Sequence, residues 1–493
     1  MRKYILPLLL FIVFFAGMAW LQFSTPDMPD NDGYYHIKMA YLMRTEGLKP
    51  AFHYLPLTIL NADGFYDHHF LYHVFLIPFT FGDLRLGAKW SAVVFASLAF
   101  LAVWLLFKRQ RIPYHWLWAL GLLALSAPFL YRMSVTRAQS LSLGVLVIGM
   151  LFLLENKPRH LAALAFFYVW MYNAFPMLLA LGVLHAIAVA LIERRLEYRL
   201  VLHIAIGTLA GILINPYFPT NIIFTYHHFI EKLTDATSIS VGNEWYPYTT
   251  GVILRNSFPS LAAFALGVFA LGLSGRRMDL RTAFGLLVTL MFGLMFFQAR
   301  RFVEYFPPFT LIFAALAFTP LLDREADSPL PADGNLSRFQ PHIPAALLSL
   351  AILAGMIRTL PIAREDVIDS APYWSFRGAS AWLEFNTPPG SRVFQTDWDD
   401  FPRLFFYNTH NTYIVGLDPT YMQIQDPELY DTWVNITNGD MLPISYVVST
   451  TFEANYIISD VFHDDFLAAA EDDPYLVEVY RDERSVVYEI KLP

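Results

Sequence analysis

The sequence predicts an α-helical protein that crosses a membrane about eleven times and ends in a soluble α/β domain. Three observations carry this expectation. Of the 493 residues, 56% are hydrophobic and 15% charged, with a mean hydropathy of +0.41; a soluble domain is usually about 45–50% apolar and about 25% charged. The excess lies in runs of roughly 17–22 apolar residues, the length that crosses a ~30 Å hydrocarbon core as a helix. The basic residues between the runs fall on alternate turns, as the positive-inside rule requires. A net charge of −8 argues against a nucleic-acid partner, which needs a basic face. The absence of cysteine excludes a disulfide, a thiolate nucleophile and a Cys-ligated zinc site.

In chain order the spans are expected at 4–22, 88–107, 115–131, 139–154, 160–176, 177–192, 200–216, 258–274, 282–298, 304–322 and 343–360. Arg2 and Lys3 precede the first and put the N-terminus in the cytoplasm. Ala16, Gly17 and Ala19 close that run with small residues, which leaves a cleaved signal peptide as the alternative. Inner turns then carry Lys108–Arg111, Lys157 with Arg159, Arg194–Arg199, Arg276–Arg281, and Arg324 with Arg338. The order holds if 68–82 (HHFLYHVFLIPFTFG) is a short helix at the outer surface, since about 15 residues with several His are short for a crossing. Residues 1–360 thus form a transmembrane domain. Its outward parts are a long loop 23–87, a turn around 132–138 and a loop 217–257. That last loop is long and free of apolar runs, as a lid would be. The inner loop 323–342, rich in Pro, Asp and Ser, reads as a linker. Residues 361–493 form an acidic outer domain, periplasmic or extracellular, with strand signals at Ser391–Phe394 and Tyr413–Gly416.

Ionisable groups near a membrane are costly to desolvate, so each is a candidate functional residue. Asp30, Asn31 and Asp32 open DNDGYYHIKMAYLMRTEG, which has the pattern of an amphipathic surface helix; a plain N-cap role for Asp32 competes with a catalytic one. Asp67, His68, His69 and His73 combine metal-ligating types, with 69 and 73 on one helix face. Polar residues that solvate an interfacial helix are the simpler account of them. Arg132 and Arg137 lie in YRMSVTRAQ, and Arg300, Arg301 and Glu304 in FQARRFVEYFPPF. Arginine grips phosphate oxygens bidentately at any pH, so these groups suggest an anionic head group; Arg137 alone needs no more than ordinary phospholipid. Glu244 in SVGNEWYPY is uninformative by itself.

Together these stretches resemble the catalytic subunit of oligosaccharyltransferase, above all its single-subunit bacterial form. NDGYYHIKMAYLMRTEG looks like that family's first outer loop, with Asp32 at the aspartate that helps bind metal and acceptor. FLYRMSVTR looks like its arginine-bearing turn, with Arg132 the match, and SISVGNEW like its mobile-loop motif, with Glu244 the match. ARRFVEYFPPF is similar to the segment whose arginine binds the donor pyrophosphate, which points to Arg301 and then Arg300. TDWDDF stands where the family has its acceptor motif, so that Trp398 and Asp399 line up. The order of motifs is kept across most of the chain. Two departures stand out. Thr136-Arg137-Ala138-Gln139 replaces the second acidic motif without a carboxylate, leaving Asp67 and its histidines as the substitute ligands. Asp397, Asp400 and Phe401 replace three residues of the acceptor motif.

The resemblance implies a GT-C membrane glycosyltransferase. It would move a sugar or oligosaccharide from a polyprenyl-phosphate or -pyrophosphate donor to a protein, lipid or polysaccharide acceptor at the outer face of the bilayer. Arg132, Arg300 and Arg301 would bind the donor phosphate, and Trp398 and Asp399 the acceptor. Asp32 and Glu244 would be catalytic and would hold, with Asp67, a divalent metal such as Mg²⁺ or Mn²⁺. The altered motifs keep open a transferase that uses a monophosphate-linked sugar, or an inactive scaffold. A transporter or flippase fits less well, because its charges belong at mid-membrane in broken helices. Asn435-Ile436-Thr437 is a glycosylation sequon of a kind that arises often by chance.

Overall fold

The computed structural model describes residues 2–227, 243–327 and 342–493. The chain divides into two compact units. One comprises Met1–Thr25, Lys89–Ile214 and Asn243–Ser370, the other Pro26–Ala88, Asn215–Gly242 and Ala371–Pro493.

The first unit is helical, and each expected span falls on a helix. Five helices are long and apolar enough to cross a membrane: Tyr4–Gln22, Leu84–Arg109, Pro176–Glu193, Leu280–Gln298 and Ile343–Ile368. Two bent pairs raise the number to seven, His115–Ala124 with Ala127–Ser134 at 89° and Thr250–Asn256 with Phe258–Ser274 at 83°. Gln139–Leu154, Arg199–Leu213 and Phe306–Leu322 are apolar but shorter, and Pro158–Met171 has 14 residues. The count of eleven therefore exceeds what helix length alone supports. Apolar runs read from sequence continue through helix ends into the turns, as at Tyr172–Phe175 and Ile214–Tyr217.

Small residues let these helices touch. A Cβ on Gly207 would stand 2.0 Å from the Ala162 carbonyl oxygen, and one on Gly211 2.8 Å from that of Phe166. Helix Arg199–Leu213 therefore lies backbone-close on Pro158–Met171, the close approach that glycine allows between apolar helices. The first helix is packed into the unit, with Phe14, Met18 and Leu21 buried and Phe14 edge-on to Phe100 at 5.4 Å. The expected linker begins as helix, since Phe306–Asp327 runs past 323; residues 328–341 lie outside the described residues.

The second unit holds a five-stranded sheet among its described residues: β1 Arg392–Gln395, β2 Thr412–Tyr413, β3 Tyr456–Asp460, β4 Leu476–Arg481 and β5 Ser485–Ile490. Its order is β2-β1-β3-β5-β4, with β1 parallel to both neighbours and β5 antiparallel to both of its own. Phe394, Ile414, Trp433, Ile457, Phe466 and Val486 share its buried core. Strand β2 stops at Tyr413, short of the expected Gly416. The Ile414 N–H is taken at 3.1 Å by the Gln395 side-chain oxygen, which substitutes for a ladder partner.

The loop placed by sequence in the transmembrane domain belongs instead to this unit. Tyr413 N–H donates to the Tyr54 carbonyl at 2.8 Å, and Ile59 N–H to that of Tyr421 at 3.1 Å. Phe52 and Tyr54 pack on Phe405 with ring centroids 5.9 and 4.9 Å apart. Such long-range aromatic burial leaves no periodic trace in sequence. The short helix expected in 68–82 is present as Phe70–Leu76 and the 3₁₀ turn Ile77–Thr80. The sequon lies on helix Pro427–Thr437, with Thr437 buried and its hydroxyl donating to the Val434 carbonyl.

Candidate functional site

Polar side chains cluster in both units. In the first, three arginines converge on one carboxylate. Arg132 ends helix Ala127–Ser134, which begins at a Ser126 cap, and Arg137 follows in the next turn. Arg301 sits in the 3₁₀ turn Arg300–Glu304 between two apolar helices, and Glu244 in the turn Asn243–Trp245. A backbone bond ties these last two segments, Arg300 N–H to the Tyr246 carbonyl at 3.0 Å. Glu244 Oε2 lies 3.0 Å from Arg132 Nη2 and 3.5 Å from Arg137 Nη1; its Oε1 lies 3.6 Å from Arg301 Nη1. The Glu244 side chain keeps 26% of its exposure. A second carboxylate, Glu304, is 1% exposed and accepts from Arg132 Nε at 2.6 Å. Arg301 also donates to the Tyr172 hydroxyl at 3.3 Å and stacks 4.2 Å over the Trp245 ring. Burial alone raises the Glu244 carboxyl, but Arg301, Arg132 and Arg137 together hold it far below the usual carboxylate range.

The structure brings together Arg132, Glu244 and Arg301, three of the residues singled out from sequence pattern. Arg137 joins them as a third guanidinium on Glu244. Arg300 turns elsewhere, towards the Pro247 carbonyl at 3.4 Å and over the Tyr248 ring. Glu304, grouped with Arg300 and Arg301 among the candidate ionisable residues, is the buried anchor that fixes Arg132. Of the loop 217–257, residues 228–242 lie outside the described residues.

In the second unit the Asp32 and TDWDDF segments meet. Asp32 opens helix Asp32–Glu46, where a carboxylate gains from the helix dipole. Asn31, not Asp32, holds the N-cap position, and its side chain makes no cap bond. It donates to Asp399 Oδ2 at 2.8 Å and accepts from Arg403 Nε at 2.7 Å. Asp30 adopts φ 79°, a left-handed conformation that Asp tolerates better than most residues. Trp398 and Asp399 form a 3₁₀ turn directly after β1, closed by the Asp399 N–H on Asp397 Oδ1 at 2.9 Å. Burial, then the nearby charges of Asp32, Asp397 and Asp30, push the Asp399 carboxyl up to about 8. It is therefore mostly protonated at neutral pH. Burial also raises Asp397 and Asp400. Arg403, buried and missed by sequence reasoning, cements the site. It donates to the Pro372 carbonyl at 2.7 Å and stacks 4.5 Å over Tyr34.

Asp67 stands apart from both sets as a buried relay. His73 Nδ1 donates to Asp67 Oδ2 at 2.7 Å, and His36 Nδ1 to His73 Nε2 at 2.8 Å. Asp67 Oδ1 accepts the His69 N–H at 3.0 Å. Asp67 and His73 are 2% and 0% exposed, so they do not solvate a surface helix. The signal available in sequence was His36, four residues after Asp32 and so on the same helix face.

These surroundings do not suit the expected metal. Three guanidiniums around Glu244 repel a divalent cation, and both Asp67 oxygens hold hydrogen bonds. Among the described residues no group of three or more His, Asp and Glu is arranged to hold a metal ion.

No protein-family model matches the sequence, and no curated protein matches it. Solved structures match in fold. The Archaeoglobus fulgidus oligosaccharyltransferase in its apo form aligns over 99% of this chain and 75% of its own, with TM-score 0.67 and 14% identity. The same organism's AglB, in complex with an inhibitory peptide and a dolichol-phosphate, aligns over 97% and 73%, with TM-score 0.65 and 13% identity. ArnT from Cupriavidus metallidurans, bound to undecaprenyl phosphate, covers 97% of both chains with TM-score 0.57 and 16% identity. The chain has the GT-C fold that these membrane glycosyltransferases share.

Proposed function

We propose that this chain is a membrane glycosyltransferase that takes a sugar from a polyprenyl-phosphate donor, its phosphate seated on Arg132, Arg137 and Arg301. The observation that carries the proposal is the Glu244 carboxylate, held by three guanidiniums where a phosphate oxygen fits. The dolichol-phosphate and undecaprenyl phosphate bound to AglB and ArnT support a ligand of this class.

Donor binding displaces Glu244, which is part-exposed, and leaves Glu304 in place. Three positive charges then face one negative charge, a net +2 that balances the dianion of a departing polyprenyl phosphate. This balance favours a monophosphate-linked donor over a pyrophosphate. In the transfer, a hydroxyl or amide of the acceptor forms a bond to the sugar C1 as the C1–O(phosphate) bond breaks. The electron pair stays on the phosphate, stabilised by the arginines, and the acceptor proton passes to a base, the role that the resemblance implies for Asp32. Protonated Asp399 is a hydrogen-bond donor for the acceptor, and Trp398 beside it a flat contact surface. The basic turns support an inner N-terminus and an outer C-terminal domain, which puts the chemistry on the outer face.

Titration of purified protein with polyprenyl phosphate tests the donor seat. The expected result is saturable binding that weakens about tenfold or more in Arg301→Ala, the loss of one charge-assisted bond. Equal binding by wild type and variant overturns it, and absence of binding returns the chain to the scaffold or transporter alternatives.

A further inference from the structure

The helices Phe258–Ser274, Phe306–Asp327 and Ile343–Ile368, with the short helices of 115–124, line an open apolar cavity of about 780 Å³. That is ample for a lipid chain, since sites for small organic ligands run to about 300–1,000 Å³. Its walls include Phe258, Leu266, Phe318 and Leu347, and Arg358 is the one charged residue among those that line it. From Ile343 to Arg358 the lined stretch of helix is about 22 Å at 1.5 Å per residue. One leaflet's hydrocarbon, half of a ~30 Å core, fits within that length.

Arg358 lies inside a candidate span, where an arginine is expensive unless its charge is used. It is exposed, and the hydrogen bonds found for it run from Nη2 alone, at 2.8 Å to the Arg255 carbonyl and 3.3 Å to that of Leu254. Among the described residues no carboxylate pairs with it. Nη1 and Nε keep their N–H groups for an anion. Trp118 lines the same cavity, is 7% exposed and packs against Phe318 with ring centroids 5.9 Å apart.

We propose that this cavity binds an anionic glycerophospholipid, with the phosphate on Arg358 and one acyl chain along Leu347, Phe318 and Trp118. The site is separate from the donor seat, since Arg358 reaches the end of helix Thr250–Asn256 and not the guanidiniums around Glu244. Native mass spectrometry of the full chain in mild detergent, titrated with phosphatidylglycerol, phosphatidylcholine of the same chains and polyprenyl phosphate, tests it. The expected result is preferential retention of phosphatidylglycerol, reduced about tenfold in Arg358→Gln, largely kept in Arg358→Lys and unaffected by Arg301→Ala. Ala351→Trp fills the wall and lowers retention of both phospholipids. Equal retention of the two phospholipids overturns the proposal. So does unchanged retention in Arg358→Gln, or displacement of phosphatidylglycerol by polyprenyl phosphate in the Arg301→Ala protein. If Arg358→Gln fails to fold, Ala351→Trp decides the question alone, and undiminished retention in it refutes the site.

Discussion

Glu244→Gln is the substitution that separates a self-ligand from a catalytic group. In the resting chain the carboxylate engages Arg132 at 3.0 Å, with Arg137 and Arg301 at 3.5 and 3.6 Å. The closest contact has hydrogen-bond length, and the other two are weaker charge contacts. One hydrogen bond to a charged group is worth about 1.5–3 kcal/mol; with the side chain 26% exposed, the lower end applies. A donor phosphate must overcome that self-interaction before it binds. Glutamine is nearly isosteric and still accepts a hydrogen bond but carries no charge. The variant is therefore expected to bind polyprenyl phosphate about tenfold more tightly, since about 1.4 kcal/mol is a factor of ten. It is also expected to melt at lower temperature without ligand, because three guanidiniums then face only Glu304, and to regain its stability when polyprenyl phosphate is added. Isothermal titration and thermal unfolding in the same detergent read both effects. Weaker binding by Glu244→Gln refutes the reasoning, since Glu244 would then assist the ligand and not compete with it.

Asp32→Ala is expected to abolish transfer and leave the thermal transition within a few degrees of wild type; measurable turnover removes Asp32 from the chemistry. Asp399 gives a pH signature. Its folded value of about 8 stands above the ordinary ~3.9, so the folded state keeps a proton that the unfolded state loses. Stability therefore falls as pH rises from about 4 to about 8 and levels off beyond. Asp399→Asn is expected to flatten that slope by about 1.4 kcal/mol per pH unit, the contribution of one proton; an unaltered slope in thermal unfolding against pH contradicts the assignment. His73→Ala leaves Asp67 buried without its partner, a loss on the order of 3–5 kcal/mol. Asp67→Asn, which removes the charge as well, is expected to cost less, and a His73→Ala protein as stable as wild type shows that the relay is not structural.

What could be read from sequence follows the physics of each feature. Long apolar runs announced the helices, because burial in lipid imposes length and composition. Their ends did not, because apolar turns such as Tyr172–Phe175 look like more helix. Arg132, Glu244 and Arg301 were legible as motif positions. The partnership of Glu304 with Arg132 was not, since it joins residues 172 positions apart. Asp67 and His73 read as surface polar groups because composition carries no information about burial. The union of 26–88 with the C-terminal part rests on long-range contacts such as those of Asn31, Phe52, Tyr54 and Ile59, which no period reveals.

The central claim is that the arginine cluster lets a sugar leave polyprenyl phosphate. Its most direct test supplies a polyprenyl-phosphate-linked sugar to the purified chain in bilayer discs and follows released polyprenyl phosphate, with water as the default acceptor. The account predicts slow release by wild type that is lost in Arg301→Ala and in Asp32→Ala. Release that persists at the wild-type rate in Arg301→Ala, or none from a wild type that binds the donor, contradicts it.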